Sequence, residues 1–234
     1  MQAALLLPVL ALLPFAGAVL ALASPNGQRM RAVSLAAAVA VAATALVLAA
    51  APAVFVGEVV RWRIDWMPQL GLAFGLRMDG LAWLFALLIS GIGMLIVLYA
   101  AYYLDPDDPA ARFFGFLLLF MGAMLGIVLA DNLLLLVVFW ELTSLSSFLL
   151  IGYWHRRKDA REGARMALAI TGAGGLALLG GVILLGRIVG SFDLETVLAS
   201  GDLIRAHALY PVALGLVLAG AFTKSAQFPF HFWL

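Results

Sequence analysis

The sequence predicts an all-α, polytopic membrane protein with about seven transmembrane helices. Hydrophobic residues make up 65% of the chain and charged residues 12%, with a mean hydropathy of +1.09. A chain of this composition cannot cover a water-soluble surface with polar side chains. Apolar runs of about twenty residues, the length that crosses a bilayer as a helix, recur near 3–23, 32–56, 80–103, 113–130, 132–154, 166–189 and 207–228.

Composition also excludes several classes of function. The chain contains no Cys, so it forms no disulfide, Cys-ligated zinc site or Cys-ligated iron–sulfur centre. Its net charge of +1 and the lack of a long basic cluster give no reason to expect nucleic acid as a partner. The sequence has no cofactor or metal motif, so we expect the chain to hold neither.

The first apolar run ends in Ala21-Leu-Ala-Ser24, which is similar to a signal-peptidase site. No positive residue precedes the run, whereas Arg29 and Arg31 follow it, and the run is long enough to span. We therefore predict a retained first helix. Residues 57–79 alternate in polarity and predict a short hairpin at the membrane surface. This divides the chain into 1–78, with two helices and a surface loop, and 79–234, with the third to seventh helices.

The short connections predict how the helices begin and pack. Asp79 and Asp131 stand at helix starts, where a carboxylate caps free backbone N–H groups. Little more than Asp131 and Asn132 separates the fourth and fifth spans, so these helices are predicted to be antiparallel neighbours. The sixth span is rich in small residues that permit close helix approach, namely Gly172, Gly174, Gly175, Gly180 and Gly181.

Positive charges predict the orientation, because cytoplasmic loops retain Lys and Arg during insertion. Residues 155–165 contain five of them, and with Arg29, Arg31 and Arg112 that side of the membrane carries eight, against five in the opposite loops. We therefore predict a cytoplasmic loop at 155–165 and an external N-terminus.

One carboxylate stands out in the fifth span. Between Asp131 and His155, Glu141 is the only Asp, Glu, Lys, Arg or His. A charge near the middle of a bilayer costs about 2.5 to 3.5 kcal/mol on insertion scales, and such residues usually mark ion pathways. We predict that Glu141 is a functional acid, the alternative being a static pair with a buried base.

The seventh span supplies that base. Lys224 lies in an apolar run, and Pro229 is predicted to open the helix about one turn after it, because proline cannot donate to the carbonyl of Ser225. His231 follows directly. Desolvation brings the proton affinities of a carboxylate and an ammonium group toward each other, and an imidazole titrates near neutrality. We predict a proton relay of Glu141, Lys224 and His231, although His231 at the surface is the open alternative.

Hydroxyl groups surround the acid. Thr143, Ser144, Ser146 and Ser147 follow Glu141, and Ser144 lies one turn away on nearly the same face. They are predicted to support the relay by bonding the carboxylate or holding water. The alternative is that each bonds back to its own helix and only eases packing.

Several segments together resemble one known family. They are Met78-Asp-Gly-Leu-Ala-Trp83, Phe139-Trp-Glu-Leu-Thr-Ser144, Ser147-Phe-Leu-Leu-Ile-Gly-Tyr-Trp154 and Thr223-Lys-Ser-Ala-Gln-Phe-Pro-Phe-His231. They resemble the antiporter-like membrane subunits of respiratory complex I and of multi-subunit Mrp antiporters, and their sequences are most similar to those of the large A subunits of the Mrp type. The resemblance covers about residues 75–234.

The resemblance implies roles for matching residues. Glu141 corresponds to the essential acid of the fifth helix, Lys224 to the base of the broken seventh helix, and His231 to a further polar relay position. The family fold has fourteen core helices with two inverted five-helix repeats, the first covering roughly the fourth to eighth helices. The chain ends inside this first repeat, so we expect it to be part of a longer protein.

The resemblance also implies a function. We expect a component of a transporter that performs no covalent chemistry and exchanges sodium for protons in the lipid bilayer, together with other membrane subunits of a hetero-oligomeric complex. The alternative is a proton-pumping subunit of complex I or of a related membrane hydrogenase. A third reading is a structural anchor in which Glu141 and Lys224 form a static pair.

Overall fold

The chain is built from long apolar helices, which confirms the all-α, polytopic class. A computed structural model describes residues 2–25 and 28–234, with side chains from residue 5 onward. The helices are α1 (Gln2–Leu22), α2 (Arg29–Phe55), α3 (Gly80–Tyr103), α4 (Ala110–Leu129), α5 (Leu133–Ile151), α6 (Lys158–Val189), α7 (Leu194–Ala199), α8 (Gly201–Ala206) and α9 (Tyr210–Lys224).

Within the described residues, α1 to α6 are long and apolar enough to cross a membrane. Helix α9 is a shorter apolar helix of 15 residues and corresponds to the predicted seventh span. The short helices α7 and α8, between α6 and α9, were not predicted. Their six-residue lengths are too small to produce a clear helical period in the sequence.

The hairpin predicted between the second and third spans is present. It consists of β1 (Val60–Met67) and β2 (Leu72–Met78), which form a two-stranded sheet. A 3-10 turn at Pro68–Leu70 joins them, followed by Gly71 with a φ of 69°. That left-handed conformation favours glycine, which explains the residue at this turn.

The helices divide into two compact units. The first contains the chain up to Trp62 together with Leu76–Leu129, and therefore α1 to α4. The second contains Arg63–Gly75 and Ala130–Leu234, and therefore the turn and most of both strands of the hairpin together with α5 to α9. The division at residue 78, which followed from the predicted hairpin and helices, stays a prediction.

In the first unit, small residues bring α1 close to α4. A Cβ atom at Gly122 would lie 2.9 Å from Cε2 of Phe15 in α1. Arg29, at the start of α2, donates to the backbone carbonyls of Ala101, Leu104 and Asp105 at 2.9, 2.7 and 2.7 Å. Arg29 therefore satisfies carbonyls at the C-terminal end of α3, where a positive charge is also favoured by the helix dipole.

In the second unit, α6 packs against both α5 and α9. Its contact with α5 is a hydrophobic core formed by Leu133 and Val137 with Leu178 and Val182, extended by Val197 of α7. Its contact with α9 is close because each of the two helices places glycines against the other. A Cβ at Gly220 of α9 would lie only 2.7 Å from Cβ of Leu178, and small residues of this kind let helices approach.

One of the two predicted caps is correct and the other is wrong. Asp79 caps α3 and accepts from the N–H of Ala82 at 2.9 Å. Helix α5 is capped by Asn132 rather than Asp131. Asn132 has an extended backbone directly before the helix, so its Oδ1 reaches the N–H groups of Leu134 and Leu135 at 3.0 and 3.2 Å.

The basic segment after α5 is mostly helical. Helix α6 begins at Lys158, eight residues before the predicted span, so the segment predicted as the loop 155–165 forms its first two turns. Lys158 and Glu162 form an exposed ion pair of 3.7 Å at i,i+4 spacing, which is compatible with a solvated helix. The apolar run marks the membrane-spanning part of α6, whereas the helix itself extends beyond it.

Candidate functional site

Glu141 lies in the middle of α5 and is partly buried. Its Oε1 atom is buried and has no hydrogen-bond partner within the described part of the chain. Buried polar atoms without a partner are uncommon in folded proteins and call for an explanation such as a strained, catalytic or water-linked role. The role of Glu141 as a functional acid stays a prediction, and the burial of Oε1 is an observation in its favour.

Lys224 is the last residue of α9, and its ammonium group reaches α5. Nζ donates a hydrogen bond to Oγ of Ser144 at 2.9 Å and lies 5.6 Å from the centre of the Trp140 ring. The ring distance is within the range in which a cation is attracted to an aromatic face. The acid and both contacts of the lysine thus come from one short stretch of α5.

Two adjacent glycines of α6 face this group. A Cβ atom at Gly175 would fall on Oε1 of Glu141 and lie 2.7 Å from its Cδ. A Cβ at Gly174 would fall on Oγ1 of Thr223, the residue before Lys224, and lie 2.7 Å from its Cβ. The side chains of Glu141 and Thr223 therefore occupy the space that any residue other than glycine would need at positions 174 and 175 of α6.

The hydroxyl groups beside Glu141 differ in what they bond. Thr143 donates to the carbonyl of Trp140 at 2.7 Å, and Ser146 donates to that of Leu142 at 2.7 Å, so both bond back to their own helix. Ser144 is buried, accepts from Lys224 at 2.9 Å and donates a longer hydrogen bond to the Trp140 carbonyl at 3.5 Å. Ser147 is partly buried. The supporting role of these residues stays a prediction, with contact geometry in its favour at Ser144.

Helix α9 ends at the lysine itself, rather than one turn after it. Gln227 N–H donates to the Phe222 carbonyl at 2.9 Å, and Nε1 of Trp233 donates to the Thr223 carbonyl at 2.9 Å. These bonds satisfy carbonyls that the broken helix would leave free. Pro229 follows a cis peptide bond and precedes a 3-10 helix at Phe230–Trp233.

His231 is exposed in that 3-10 helix, and its ring stacks on Phe228 with a centroid distance of 5.7 Å. The structure therefore brings Glu141, Ser144 and Lys224 to one place, whereas the contact it gives His231 is with Phe228. The part of His231 in the relay stays a prediction.

Sequence reasoning missed four residues that contribute to the site. Trp140 and Ser144 are four residues apart and share a helix face, so the spacing contained a signal for Trp140. Trp233 closes the end of α9 through a carbonyl ten residues earlier, which no local pattern announces. Gly174 and Gly175 were assigned to close packing in general, and only the contacts of α6 reveal which side chains they receive.

A separate cavity of about 570 Å³ lies between the hairpin turn and the end of α6. Arg63 lines it and bonds to Asp65 at 3.0 Å and to Asp193 at 2.9 Å, and these hydrogen bonds raise the pKa of Arg63. Neither Glu141 nor Lys224 lines this cavity. It is therefore distinct from the predicted site.

Known families match most of the chain. Residues 64–114 match the family described as NADH-Ubiquinone oxidoreductase (complex I), chain 5 N-terminus. Residues 130–234, which contain both Glu141 and Lys224, match the family described as NADH:quinone oxidoreductase/Mrp antiporter, TM. The chain belongs to the antiporter-like membrane subunits. The predicted resemblance is thereby confirmed, and the two family matches together cover the hairpin and the site.

Relatives of this antiporter-like chain are themselves described as components of antiporters. This chain is 58% identical over 229 residues to the probable A/B subunit of a K⁺/H⁺ antiporter of Rhizobium meliloti, a match that covers 98% of the chain and 23% of the relative. It is 51% identical over 179 residues to the A subunit of a Na⁺/H⁺ antiporter of Alkalihalophilus pseudofirmus, a match that covers 76% of the chain and 22% of the relative. The antiporter-like chain thus spans about a quarter of the length of these relatives.

A solved structure has the same fold. The Mrp complex from Dietzia sp. DQ12-45-1b contains a chain that is 32% identical, with a TM-score of 0.84 over 97% of this chain and 24% of that one. Together with the apolar helices, these matches establish a multi-pass membrane protein.

Proposed function

We propose that this antiporter-like chain is part of a membrane subunit of a monovalent cation/proton antiporter, and that Glu141 and Lys224 form its proton relay. One observation carries the proposal: the buried Oε1 of Glu141, which has no hydrogen-bond partner among the described residues, lies on α5 three residues from Ser144, which accepts a hydrogen bond from the Lys224 ammonium. An acid and a base are thus held near each other without their charges being locked in the same hydrogen bond.

This arrangement gives proton transfer a simple electrostatic basis. Opposite charges attract strongly where water is scarce. When a proton reaches Glu141, the negative charge that attracts Lys224 disappears, and the ammonium keeps its contacts with Ser144 and Trp140. When the proton leaves, the attraction returns. Each proton movement at Glu141 therefore changes the electrostatic force on Lys224. We propose His231 as the next residue of the relay.

The static-anchor reading is less well supported by these contacts. In that reading the ammonium of Lys224 would use its hydrogen bonds to neutralise Glu141, because an unpaired buried charge is destabilising. The hydrogen bond of Lys224 goes to a neutral hydroxyl instead. A neutral partner leaves the acid available for a proton.

The names of the relatives support a wider assignment. We propose sodium as the exchanged cation, in agreement with the name of the Alkalihalophilus relative, and potassium as the alternative, in agreement with the Rhizobium one. The chain would act in a transporter and not as an enzyme, with other membrane subunits as partners. Its place would be a bacterial-type inner membrane, with an external N-terminus and the basic segment 155–165 in the cytoplasm.

A proton-pumping subunit of complex I or of a membrane hydrogenase is the second candidate. The match of residues 64–114 to a complex I family favours it. Both candidates use Glu141 and Lys224 in the same way, and they differ in what drives the protons. Genes for small membrane subunits beside this one would favour the antiporter, whereas genes for quinone and iron–sulfur subunits would favour complex I.

Proton flux in everted membrane vesicles tests the proposal. Vesicles with the full-length complex are acidified by ATP hydrolysis, without NADH, and then receive sodium, potassium or lithium chloride. The antiporter predicts that one of these cations dissipates the pH gradient, whereas choline chloride does not. Proton movement that occurs only during NADH oxidation, with no response to any cation, would contradict it.

A further inference from the structure

Helix α6 contributes no charged side chain to the site, yet it touches both sides of it. Between Arg165 and Arg187 the helix contains no Asp, Glu, Lys, Arg or His. Adjacent residues of an α-helix point about 100° apart, so Gly174 and Gly175 face different neighbours. Gly175 faces Glu141 of α5, and Gly174 faces Thr223 of α9.

The contacts at these two positions are unusually close. Oε1 and Cδ of Glu141 occupy the volume that a side chain at 175 would need, and Oγ1 and Cβ of Thr223 occupy the volume needed at 174. Thr223 is itself buried, its hydroxyl donates to the carbonyl of Gly220 at 2.9 Å, and its carbonyl accepts from Trp233. Thr223 therefore has little freedom to move away without moving the end of α9.

Other glycines of α6 face different side chains: a Cβ at Gly181 would lie 2.8 Å from Cγ2 of Val217, and one at Gly186 would fall on the ring of Phe192. A Cβ at Gly172 would meet no atom of the described residues within 4 Å, and one at Gly180 would make an ordinary 3.5 Å contact with Leu216. Glycine costs a helix about 1 kcal/mol relative to alanine. Two adjacent glycines that receive the acid and the neighbour of the base are thus explained by the site rather than by helix formation.

We propose that Gly174 and Gly175 form a glycine notch whose function is to set the position of the Glu141 carboxylate relative to Lys224. This inference rests on the proposed function of that pair. Gly175 seats the carboxylate against the backbone of α6, and Gly174 seats Thr223, which fixes the last turn of α9 and hence the origin of the lysine side chain. Both are positioning residues, because neither has a side chain that carries a proton.

Alanine substitutions in the full-length complex test the notch. Gly175→Ala is expected to lower the cation-driven proton flux at least tenfold and Gly174→Ala to lower it severalfold, because each added methyl displaces the side chain seated there. Gly172→Ala, the same change in the same helix at an open position, is the matched control and is expected to stay within twofold. Equal flux in Gly175→Ala and Gly172→Ala would overturn the proposal.

A second-site substitution distinguishes positioning from general damage to α6. Aspartate is one methylene shorter than glutamate, so Glu141→Asp withdraws the carboxylate from the notch. The flux lost through Gly175→Ala is therefore expected to be several times smaller in the Glu141→Asp background than in the natural one. Equal losses in the two backgrounds would show that residue 175 does not act through Glu141, and would overturn the proposal.

Thermal stability gives a readout that does not depend on transport. In the purified complex, Gly175→Ala is expected to lower the melting temperature, and Glu141→Ala, which removes the overlapping carboxylate, is expected to restore most of the loss. The same pairing of Gly172→Ala with Glu141→Ala is expected to be additive. Additive effects at position 175 would refute the notch, whereas failure of the proposed function would leave this coupling intact and appear only as normal flux in Glu141→Gln.

Discussion

Nζ of Lys224 lies 2.9 Å from Oγ of Ser144, three residues along α5 from Glu141. The base of α9 is therefore attached to the helix that carries the acid, through a neutral hydroxyl. Ser144 is buried and Lys224 is partly buried, so this hydrogen bond is partly removed from the surface. It connects α9 to α5 at the point where α9 ends.

The first prediction concerns this hydroxyl. Ser144→Ala removes a hydrogen bond to a charged group, which is worth about 1.5 to 3 kcal/mol, and leaves the ammonium of Lys224 without that partner. We expect cation-driven proton flux in vesicles to fall by about tenfold or more. Ser146→Ala is the matched control, because Ser146 is also buried and, within the described part of the chain, its hydroxyl bonds only to carbonyls of its own helix. Equal flux in the two variants would contradict the role of Ser144.

The second prediction concerns the aromatic ring beneath the lysine. Trp140→Leu removes the face that attracts Nζ of Lys224, a contribution of about 0.5 to 2 kcal/mol. Flux is expected to fall severalfold. Trp140→Phe retains an aromatic face and loses an N–H that has no partner among the described residues, so it is expected to retain most of the flux. A Phe variant as impaired as the Leu variant would point to packing instead of the cation contact.

The long helices could be predicted from the sequence because a membrane leaves the backbone little choice. An apolar run of about twenty residues must satisfy its own N–H and C=O groups, and a helix does so. Glu141 and Lys224 were found for the same reason, since a charge is conspicuous where the surroundings are apolar. The start of α6 at Lys158 was missed because a helix continues into water where no apolar pattern reports it.

The remaining features depend on how helices are placed against each other. Gly175 meets Glu141 only in one register of α6 on α5, and that register is set by side-chain packing along both helices. The sequence predicted Asp131 as the cap of α5. Asn132 is the cap instead, because the helix begins one residue later, at Leu133. The end of α9 at Lys224 was missed because it depends on residues beyond the helix. The N–H of Gln227 and the side chain of Trp233 satisfy carbonyls in the last turn of α9.

The third prediction concerns Asn132. Its Oδ1 caps two N–H groups of α5 and its Nδ2 donates to the carbonyl of Gly71 at 3.0 Å. Asn132→Ala is expected to lower stability by about 1 to 2 kcal/mol through the lost cap. Asn132→Asp keeps the acceptor and loses only the donor, so its loss is expected to be smaller. Thermal unfolding of the complex measures both, and an Asp variant that melts no higher than the Ala variant would contradict the cap.

The fourth prediction concerns Arg29, which bonds three carbonyls at the end of α3. Arg29→Ala is expected to destabilise the protein by about 1 to 3 kcal/mol, because these groups lose a charged donor. Arg31→Ala is the matched control, since the exposed Arg31 bonds only the side chain of Gln28, at 3.2 Å, within the described part of the chain. Equal melting temperatures of the two variants would show that the Arg29 bonds contribute nothing.

Proton flux in Glu141→Gln tests the central claim most directly. Glutamine keeps the shape of glutamate and cannot carry the charge or exchange a proton, so the variant complex is expected to assemble normally and to lose cation-driven flux in everted vesicles. Lys224→Ala is expected to do the same, with assembly followed by purification of the intact complex. Normal flux in an assembled Glu141→Gln complex would contradict the relay.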